Sequence, residues 1–315
     1  MIHAPAPTQP VWPAGVSLLL GLGAQKAGTT WLHDTLSKHP DCYAFPIKEL
    51  HYFDTVSGVT HLGHVLTHKR IKARTVRGEA DPSLTRVQRL ADLLEAPDAA
   101  HQGYVDLVTD GVPAGGVALD ITPAYAMLDD ATFAQVAAMG QARFLFVMRE
   151  PVARFWSGVR MMVNQRRGDA ADFEPAARQI VDAVIAGESS PRVQAVMARG
   201  DYAATLDKLV RLVPENRRLV LFFETLFIQS TMDRIYAFLG VPTVPLTDTA
   251  PRLEGVGASL RPDQIAAVTE IFRPQYEAVC AAFGPAVPQA WHARFASASQ
   301  AASGATTDLR RRLHR

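Results

Sequence analysis

The chain has 315 residues, of which 48% are hydrophobic, and it carries a net charge of +1 at neutral pH. This length and composition suit one α/β domain with insertions and a substantial core. The near-zero charge excludes attraction of the whole protein to nucleic acid or to an anionic membrane, so any anion binding must be local. The two cysteines, Cys42 and Cys280, lie far apart without a partner motif. They indicate ordinary thiols in a reducing compartment rather than a disulfide framework or a metal site.

The N-terminal residues do not resemble a targeting signal. Residues 1–15 are rich in Pro and Ala and contain no Lys or Arg, and we interpret them as an N-terminal extension. The apolar run at residues 16–22 is too short to cross a bilayer. We therefore expect no transmembrane segment and a cytoplasmic protein.

Residues 16–36 predict a buried strand, a tight loop and a helix. The apolar run stops at Gly23, small residues follow as far as Thr30, and apolar residues then recur at helical spacing. In such a unit the backbone N–H groups of the loop and of the first helical turn converge on one anion, typically a phosphate. Glycines in the loop let the backbone close around that anion.

The loop almost matches the nucleotide-binding pattern G-x-x-x-x-G-K-[ST]. Gly23 and Gly28 have the required spacing and Thr30 fills the last position, but Thr29 replaces the lysine, which stands earlier, at Lys26. A lysine inside the loop can lean over the group that leaves a two-unit anhydride, which is shorter than a triphosphate. The alternative is a glycine-containing turn with one solvated lysine.

A short strand predicted at residues 42–45 leads into a segment where polar and apolar residues alternate. If residues 46–54 are extended, Glu49 and His51 project to the same side. This places a carboxylate and an imidazole together shortly after the anion-binding loop. The alternative for Glu49 is an ion pair with a basic neighbour such as Lys48 or Lys26.

Residues 55–115 are predicted to form a mainly helical insertion that faces the substrate, with one clear helix at residues 84–94. Within it, His61, His64 and His68 lie at helical spacing on one face. No carboxylate or cysteine nearby completes a metal site, and a solvated helix face is the better interpretation.

The rest of the chain alternates between strands and helices. Strands are predicted at residues 117–120, 143–148 and 219–223, and helices at residues 131–139, 151–165, 172–186, 202–213, 231–239 and 262–283, the last broken near Pro274. This alternation implies a three-layer α/β/α fold with a central parallel sheet. One domain over residues 16–290 accounts for these elements. We predict a disordered basic tail over residues 297–315, where Ala and Ser give way to several arginines.

A second anion site is predicted after the strand at residues 143–148. Arg149 ends that strand, Pro151 suits the first turn of the next helix, and Ser157 lies two turns into it. Ligands of open α/β sheets gather at the carboxyl ends of the strands. An arginine and a hydroxyl there could hold a phosphate, the arginine through bidentate hydrogen bonds. For Arg149 taken alone, a surface ion pair is the alternative.

These motifs together resemble the sulfotransferases that use 3′-phosphoadenosine 5′-phosphosulfate (PAPS) and release 3′-phosphoadenosine 5′-phosphate (PAP). Residues 25–32 are similar to that family's 5′-phosphosulfate loop and residues 149–157 to its 3′-phosphate motif, and the resemblance extends over residues 16–284. It implies a P-loop NTPase-like sulfotransferase fold. It assigns donor binding to Gln25, Lys26, Ala27, Gly28, Thr29, Thr30, Trp31, Arg149 and Ser157, with Arg261 as a weaker candidate for the 3′-phosphate.

Within the family, residues 48–54 resemble the heparan sulfate and related carbohydrate sulfotransferases, as do residues 199–202. The resemblance implies Glu49 as the catalytic base, His51 as its helper or as an alternative base, and Lys26 as the cation at the leaving oxygen. It places Lys48, Asp54 and Tyr125 at the substrate.

Two departures count against a heparan-like polymer as the acceptor. Residues 120–123 read Asp-Ile-Thr-Pro where that branch has Glu-Lys-Thr-Pro, so its lysine is missing. The branch's Lys/Gly-rich cofactor loop near the C-terminus, with its flanking cysteines, is also absent.

The resemblance implies transfer from PAPS to a hydroxyl or amine of a carbohydrate, lipid or small metabolite, without a metal and without a nucleic-acid partner. The acceptor and the oligomeric state stay open. One rival is a P-loop kinase or nucleoside triphosphatase, which the position of Lys26 and the lack of an evident metal-binding aspartate after a strand count against. Another is a non-catalytic nucleotide-binding module, against which Glu49 beside a full cofactor loop counts.

Overall fold

The structure is a computed structural model that describes residues 9–75, 82–165, 173–249 and 258–297. Five parallel strands form one sheet in the order β2-β3-β1-β4-β5. The strands are β1 Ser17–Gly21, β2 Cys42–Ala44, β3 Val117–Ile121, β4 Ala142–Met148 and β5 Arg218–Phe222. The predicted α/β fold with a central parallel sheet is confirmed.

Helices flank this sheet. They are α1 Thr29–Leu36, α2 Tyr52–Val56, α3 Leu62–Thr75, α4 Pro82–Glu95, α5 Gln102–Thr109, α6 Asp130–Ala138, α7 Pro151–Asn164, α8 Phe173–Ile185, α9 Pro191–Ala198, α10 Tyr202–Leu212, α11 Gln229–Leu239, α12 Pro262–Ile271 and α13 Arg273–Phe283. Short 3₁₀ turns occur at Pro123–Met127, Glu215–Arg217, Phe223–Thr225 and Gly284–Ala286, and residues 289–297 are also helical.

The central strand β1 explains the uninterrupted apolar run in the sequence. Leu18, Leu19 and Leu20 are all 0% exposed, although successive side chains of a strand point to opposite faces. Both faces of β1 are therefore covered, as expected for a parallel sheet flanked by helices.

The sheet order places two predicted anion sites side by side. The chain passes from β1 to the edge strand β2, returns to β3 beside β1, and then adds β4 on the other side of β1. At the carboxyl end of β1 the pairing with β4 continues, because Val147 donates its N–H to Gly23 at 2.8 Å and Ala24 donates to Val147 at 2.7 Å. The loop after β1 is thus fixed beside the end of β4, at a point where ligands of such sheets bind.

The region predicted as a helical insertion contains α2, α3, α4 and α5. Its histidines make local contacts: His64 Nδ1 lies 3.3 Å from a carboxylate oxygen of Glu95, and His68 Nδ1 lies 2.8 Å from the carbonyl of His64. His61 precedes α3. Over the ranges that the structure describes, no group of three or more metal-ligating side chains is found.

Helix α9 was not predicted, although its start carries a recognisable signal. Ser190 caps the helix by accepting a hydrogen bond from Val193 N–H, and Pro191 occupies the first helical position. The predicted break in the C-terminal helical region is present, but it falls at Phe272, before Pro274. The predicted basic tail beyond residue 297 lies outside the described residues, as do residues 1–8 of the predicted N-terminal extension. Within the described part of the chain, no helix is long and apolar enough to cross a membrane.

Candidate active site

The loop after β1 closes into α1 as the sequence predicts. Its backbone has positive φ angles at Gly23, Lys26 and Gly28, and Gly28 is the residue that precedes the first helical turn. No side chain at that position caps α1. The first N–H groups of α1, at Thr29 and Thr30, have no carbonyl partner within the helix and are available to an anion.

Gly28 is required at its position for two reasons. Its φ is +84°, and a Cβ atom there would lie 2.8 Å from Leu226 Cδ2 and 3.2 Å from Phe223 Cδ2. We expect Gly28→Ala to lower the free energy of unfolding by about 2–4 kcal/mol, from left-handed strain plus overpacking. Urea denaturation measures this loss.

Gly187→Ala is a matched control, because Gly187 has a φ of +79° but no atom within 4 Å of its Cβ position. It isolates the cost of the left-handed backbone. Equal losses in the two variants would contradict the proposed contact between residue 28 and the Phe223–Leu226 turn.

Arg149 at the end of β4 contacts the loop directly. Its Nη1 donates a hydrogen bond to the Lys26 carbonyl at 3.0 Å, and its guanidinium lies 4.4 Å from the ring centroid of Phe223. The Tyr202 hydroxyl donates to the Arg149 carbonyl at 2.6 Å and accepts from the Arg149 N–H at 3.2 Å. The two predicted anion motifs therefore form one continuous site, and Tyr202 fixes the backbone on one side of it.

Several cations share this site. Burial lowers the pKa of Lys26 most, and the charges of Arg149, Arg160 and Lys48 lower it further, while Glu49 opposes them. The residues that repel Lys26 lie directly after β4, in α7 and in the segment before α2. Cations gathered in this way favour the binding of an anion between them.

Two buried polar atoms support the interpretation that this site accommodates a polar ligand. Arg160 Nε and Gln25 Oε1 have no hydrogen-bond partner in the described part of the chain. Arg160 was not predicted as a site residue. A signal was present, because Arg160 follows Ser157 by three residues and so lies on the same side of α7.

Glu49, His51 and Asp54 form a second cluster. His51 Nδ1 lies 2.8 Å from Asp54 Oδ2, and His51 Nε2 lies 3.5 Å from Glu49 Oε2. The segment is not extended, so the condition under which the sequence places Glu49 and His51 on one side is not met: their φ angles are +63° and +53°, and α2 begins at Tyr52. The two side chains meet because the chain turns at both residues. Left-handed backbone at non-glycine residues is uncommon and clusters at functional sites.

Hydrogen bonds and charges decide the ionisation of this cluster. Burial acts to raise the pKa of Glu49, but the hydrogen bond to His51 and the charge of Lys48 outweigh it and hold the pKa at about 2. Burial acts to lower the pKa of His51, but hydrogen bonds to Asp54 and Glu49 raise it to about 9. At neutral pH Glu49 is ionised and His51 is protonated.

Glu49 is the accessible member of the cluster. Its side chain is 32% exposed, whereas that of His51 is 4% exposed. Lys48 Nζ contacts Glu49 Oε1, so the ion pair predicted as an alternative is present. Since Glu49 and Lys48 also act on the pKa of Lys26, the cluster of Glu49, His51 and Asp54 (the Glu49 cluster) and the cationic site are within electrostatic range of each other.

Asp54 and Tyr125 do not lie on the surface of the site. Both side chains are 0% exposed, and Tyr125 donates its hydroxyl to Asp120 at 2.7 Å. Their burial does not support the predicted direct contact with substrate. Trp31, predicted to bind the donor, is 1% exposed and donates its indole N–H to the Asp248 carbonyl at 3.0 Å. Its side chain therefore supports the chain around the site.

Ser157 and Arg261 differ in their surroundings. Ser157 is half-buried on α7, near the start of which Arg149 lies. The Arg261 guanidinium forms hydrogen bonds to Asp182 at 2.7 Å and to Asp263 at 3.1 Å. This arrangement weakens the prediction that Arg261 binds a phosphate, since both carboxylates already engage it.

Arg199, which directly follows α9, lies near Glu49 and Asp54, and the sequence did not predict this proximity. Its pKa is lowered by burial, while the carboxylates of Asp54 and Glu49 act to raise it. The next residue, Gly200, packs on the buried guanidinium of Arg154, and a Cβ atom at Gly200 would lie 2.2 Å from Arg154 Cζ. The α9–α10 turn is thus fixed with Arg199 near Glu49 and Asp54.

The parallel sheet and the cations at the ends of β1 and β4 define an α/β protein with a cationic site at the carboxyl edge of its sheet. The sulfotransferase family model matches residues 19–245, which include both motifs and the Glu49 cluster, and the chain belongs to the sulfotransferase family. This match does not distinguish the carbohydrate branch from other sulfotransferases.

One solved structure supports the fold, and two others are more distant similarities. The structure of a sulfotransferase from Alicyclobacillus acidocaldarius is 23% identical, with a TM-score of 0.59, over 90% of this chain and 100% of that chain. The sulfotransferase domain from the curacin biosynthetic pathway is 18% identical, with a TM-score of 0.47, over 78% of this chain and 82% of that domain. The sulfotransferase domain of the Synechococcus PCC 7002 olefin synthase is 18% identical, with a TM-score of 0.45, over 85% and 97%. No curated protein sequence matches this chain at a significant level.

Proposed function

We propose that the protein transfers the sulfuryl group of PAPS to a hydroxyl or amine of a small-molecule, lipid or carbohydrate acceptor and releases PAP. The observation that carries this proposal is the hydrogen bond from Arg149 Nη1 to the Lys26 carbonyl. It joins two cationic sites, at the ends of neighbouring strands, into one site for a ligand with two separate anionic groups. PAPS has such groups at its 3′ and 5′ ends.

The residues that surround this site suit the donor. The N–H groups at Thr29 and Thr30, together with the Lys26 ammonium, would hold the 5′ end. Arg149 and Ser157 would hold the 3′-phosphate, with Arg160 as an additional cation beside them. Support comes from Arg160 Nε and Gln25 Oε1, buried polar atoms that a bound polar ligand could satisfy.

Bound PAPS supplies the sulfuryl group, whose bond to the 5′-phosphate breaks as the acceptor oxygen or nitrogen bonds to sulfur. Lys26 and the loop amides would stabilise the negative charge that develops on the departing phosphate oxygen. As in phosphoryl transfer, the protein contributes mainly positioning and charge stabilisation. In the proposed mechanism, Lys26 provides the positive charge at the leaving oxygen, and no step uses a metal.

Glu49 is the proposed base that takes the acceptor's proton. Its carboxylate is ionised and partly exposed, whereas the His51 ring is buried and already protonated at neutral pH. In this arrangement His51 orients Glu49 and keeps it ionised. His51 as the base is therefore the less favoured alternative.

Ligand-dependent stabilisation distinguishes this proposal from a kinase or nucleoside triphosphatase. We expect PAP at 100 times its Kd to stabilise the protein by about 2.7 kcal/mol, because it binds the folded state alone. ATP with magnesium at the same concentration should have a smaller effect, since Thr29 stands where nucleoside triphosphatases have the lysine that contacts the terminal phosphates. Thermal denaturation in parallel series measures both.

Stronger stabilisation by ATP with magnesium than by PAP would contradict the proposal. Transfer of radiolabelled sulfate from PAPS to a metabolite extract then tests catalysis itself. PAP binding without any transfer would favour the non-catalytic nucleotide-binding module.

A further inference from the structure

A buried carboxylate lies behind the Glu49 cluster. Asp120, the fourth residue of β3, is 0% exposed and accepts three hydroxyl hydrogen bonds: from Tyr104 at 2.8 Å, from Thr122 at 2.7 Å and from Tyr125 at 2.7 Å. We refer to these four residues as the Asp120 network. All four side chains are buried, so the network reaches neither donor nor acceptor.

The network reaches the acceptor side through one further hydrogen bond. The Tyr125 hydroxyl accepts the backbone N–H of Tyr52 at 3.2 Å. Because this hydroxyl donates its only proton to Asp120, it is left with lone pairs directed at an N–H donor. Asp120 thus fixes the direction in which Tyr125 binds the peptide group that joins His51 to Tyr52.

This peptide group has no other fixed partner in its own helix. Tyr52 N–H belongs to the first turn of α2, where backbone donors lack carbonyl partners, and His51 before it provides no side-chain cap. His51 also holds a left-handed backbone at a φ of +53°. A conformation of this kind persists only where its surroundings impose it.

We propose that Tyr125, oriented by Asp120, is a positioning residue that sets the backbone of His51 and thereby the alignment of its ring between Asp54 and Glu49. This rests on the proposed function, in which Glu49 and His51 serve the acceptor. Asp120 shares this positioning role because it orients Tyr125, whereas Tyr104 has no such role. Both tyrosines donate to Asp120 Oδ2, but among the described residues it is the Tyr125 hydroxyl, and not that of Tyr104, that accepts a hydrogen bond from Tyr52 N–H.

The charged groups around His51 belong to several elements. Glu49 and Asp54 face it from its own segment and Asp120 acts on it from β3, while Lys48 and Arg199 lie within electrostatic range of those carboxylates. Loss of alignment weakens the hydrogen bonds to Asp54 and Glu49, which hold the proton on His51. The pKa of His51 is therefore a direct measure of the alignment.

The test compares Tyr125→Phe with Tyr104→Phe. Each variant removes one buried hydroxyl from Asp120 and keeps its ring, so that the packing against Phe53 is retained in both. Nitrogen-15 NMR titration of labelled histidine gives the pKa of His51 without any acceptor. We expect the pKa to fall by about one unit or more in Tyr125→Phe and to stay within about 0.3 units in Tyr104→Phe.

Sulfate transfer from PAPS to the metabolite extract provides a second readout. We expect a rate about tenfold lower in Tyr125→Phe, with an unchanged KM for PAPS, and a smaller loss in Tyr104→Phe. Equal His51 shifts in the two variants, or no shift in either, would overturn the proposal. If Tyr125→Phe does not fold, Asp120→Asn takes its place, and hydrogen exchange of the Tyr52 amide replaces the titration, because loss of the Asp120 charge by itself lowers the His51 pKa. Exchange as slow as in the wild type would overturn the proposal.

Calorimetric titration with PAP keeps this inference separate from the proposed function. All three variants should bind PAP as the wild type does, because the network lies on the acceptor side. Failure of the wild type to bind PAP would count against the proposed function, whereas the His51 titration would stand by itself.

Discussion

Replacing Glu49 by glutamine is expected to lower the rate of sulfate transfer by about 10²–10⁴-fold and to leave the Kd for PAP within about twofold of wild type. The amide has nearly the shape of the carboxylate but cannot take the proton of an acceptor. The carboxylate is ionised because His51 and Lys48 hold its pKa at about 2. Radiolabelled transfer from PAPS measures the rate, and calorimetric titration measures the affinity.

Glu188→Gln is the control, because Glu188 is exposed beyond the end of α8 and has no proposed role. It should leave both the rate and the affinity unchanged. Since Glu49 has so low a pKa, the wild-type rate should also show no acid limb from this group above about pH 4. Full activity of Glu49→Gln would show that Glu49 is not the base and would favour His51 in that role.

Replacing Arg149 by glutamine is expected to weaken PAP binding by about 10–150-fold, because a charge-assisted hydrogen bond contributes about 1.5–3 kcal/mol. Binding of adenosine 5′-phosphate, which lacks the 3′-phosphate, should weaken much less in the same variant, because it loses only the support that Arg149 gives to the Lys26 carbonyl. Calorimetric titration of both nucleotides against wild type and variant measures this difference.

The paired nucleotides serve as an internal control for damage to the loop. Arg149 also binds the Lys26 carbonyl, so its loss could distort the 5′ site. Such distortion would weaken both nucleotides equally, and that outcome would contradict a contact between Arg149 and the 3′-phosphate. Arg149→Lys should be intermediate, because it keeps the charge but loses the bidentate geometry.

The bounds of helices and strands could be predicted closely where glycine or proline marks their ends in the sequence. The first strand was expected at residues 16–22 and is Ser17–Gly21, because an apolar run that is buried on both faces ends at a glycine. The helix after Arg149 begins at Pro151 as expected, since proline suits a first helical position. Local chemistry decides these boundaries, so the sequence contains them.

The geometry of the Glu49 cluster depends on contacts between residues that are distant in the chain, and these contacts could not be predicted from the sequence. The sequence placed Glu49 and His51 together only if their segment were extended, yet they meet across left-handed turns. The hydrogen bond from Tyr52 N–H to Tyr125 contributes to that geometry and joins residues 73 positions apart. No local pattern in the sequence encodes it.

The burial of the Tyr125 and Asp54 side chains also depends on tertiary contacts. Tyr125 and Asp54 were assigned to the substrate by resemblance, but whether a side chain reaches the surface depends on the elements that pack over it. The positions of Arg160 and Arg199 likewise follow from how α7 and α9 are placed beside the sheet. Motif spacing indicated that cations would meet at the ends of β1 and β4, whereas their full number required the folded chain.

The bond between the Arg149 guanidinium and the Lys26 carbonyl also constrains how this protein can be redesigned. Under the proposed function, a donor without a 3′-phosphate could not be accommodated by changing residue 149 alone, because the same side chain also supports the loop proposed to hold the 5′ end. Substitutions at the two places should show strong epistasis, and a library aimed at new donors has to vary them jointly.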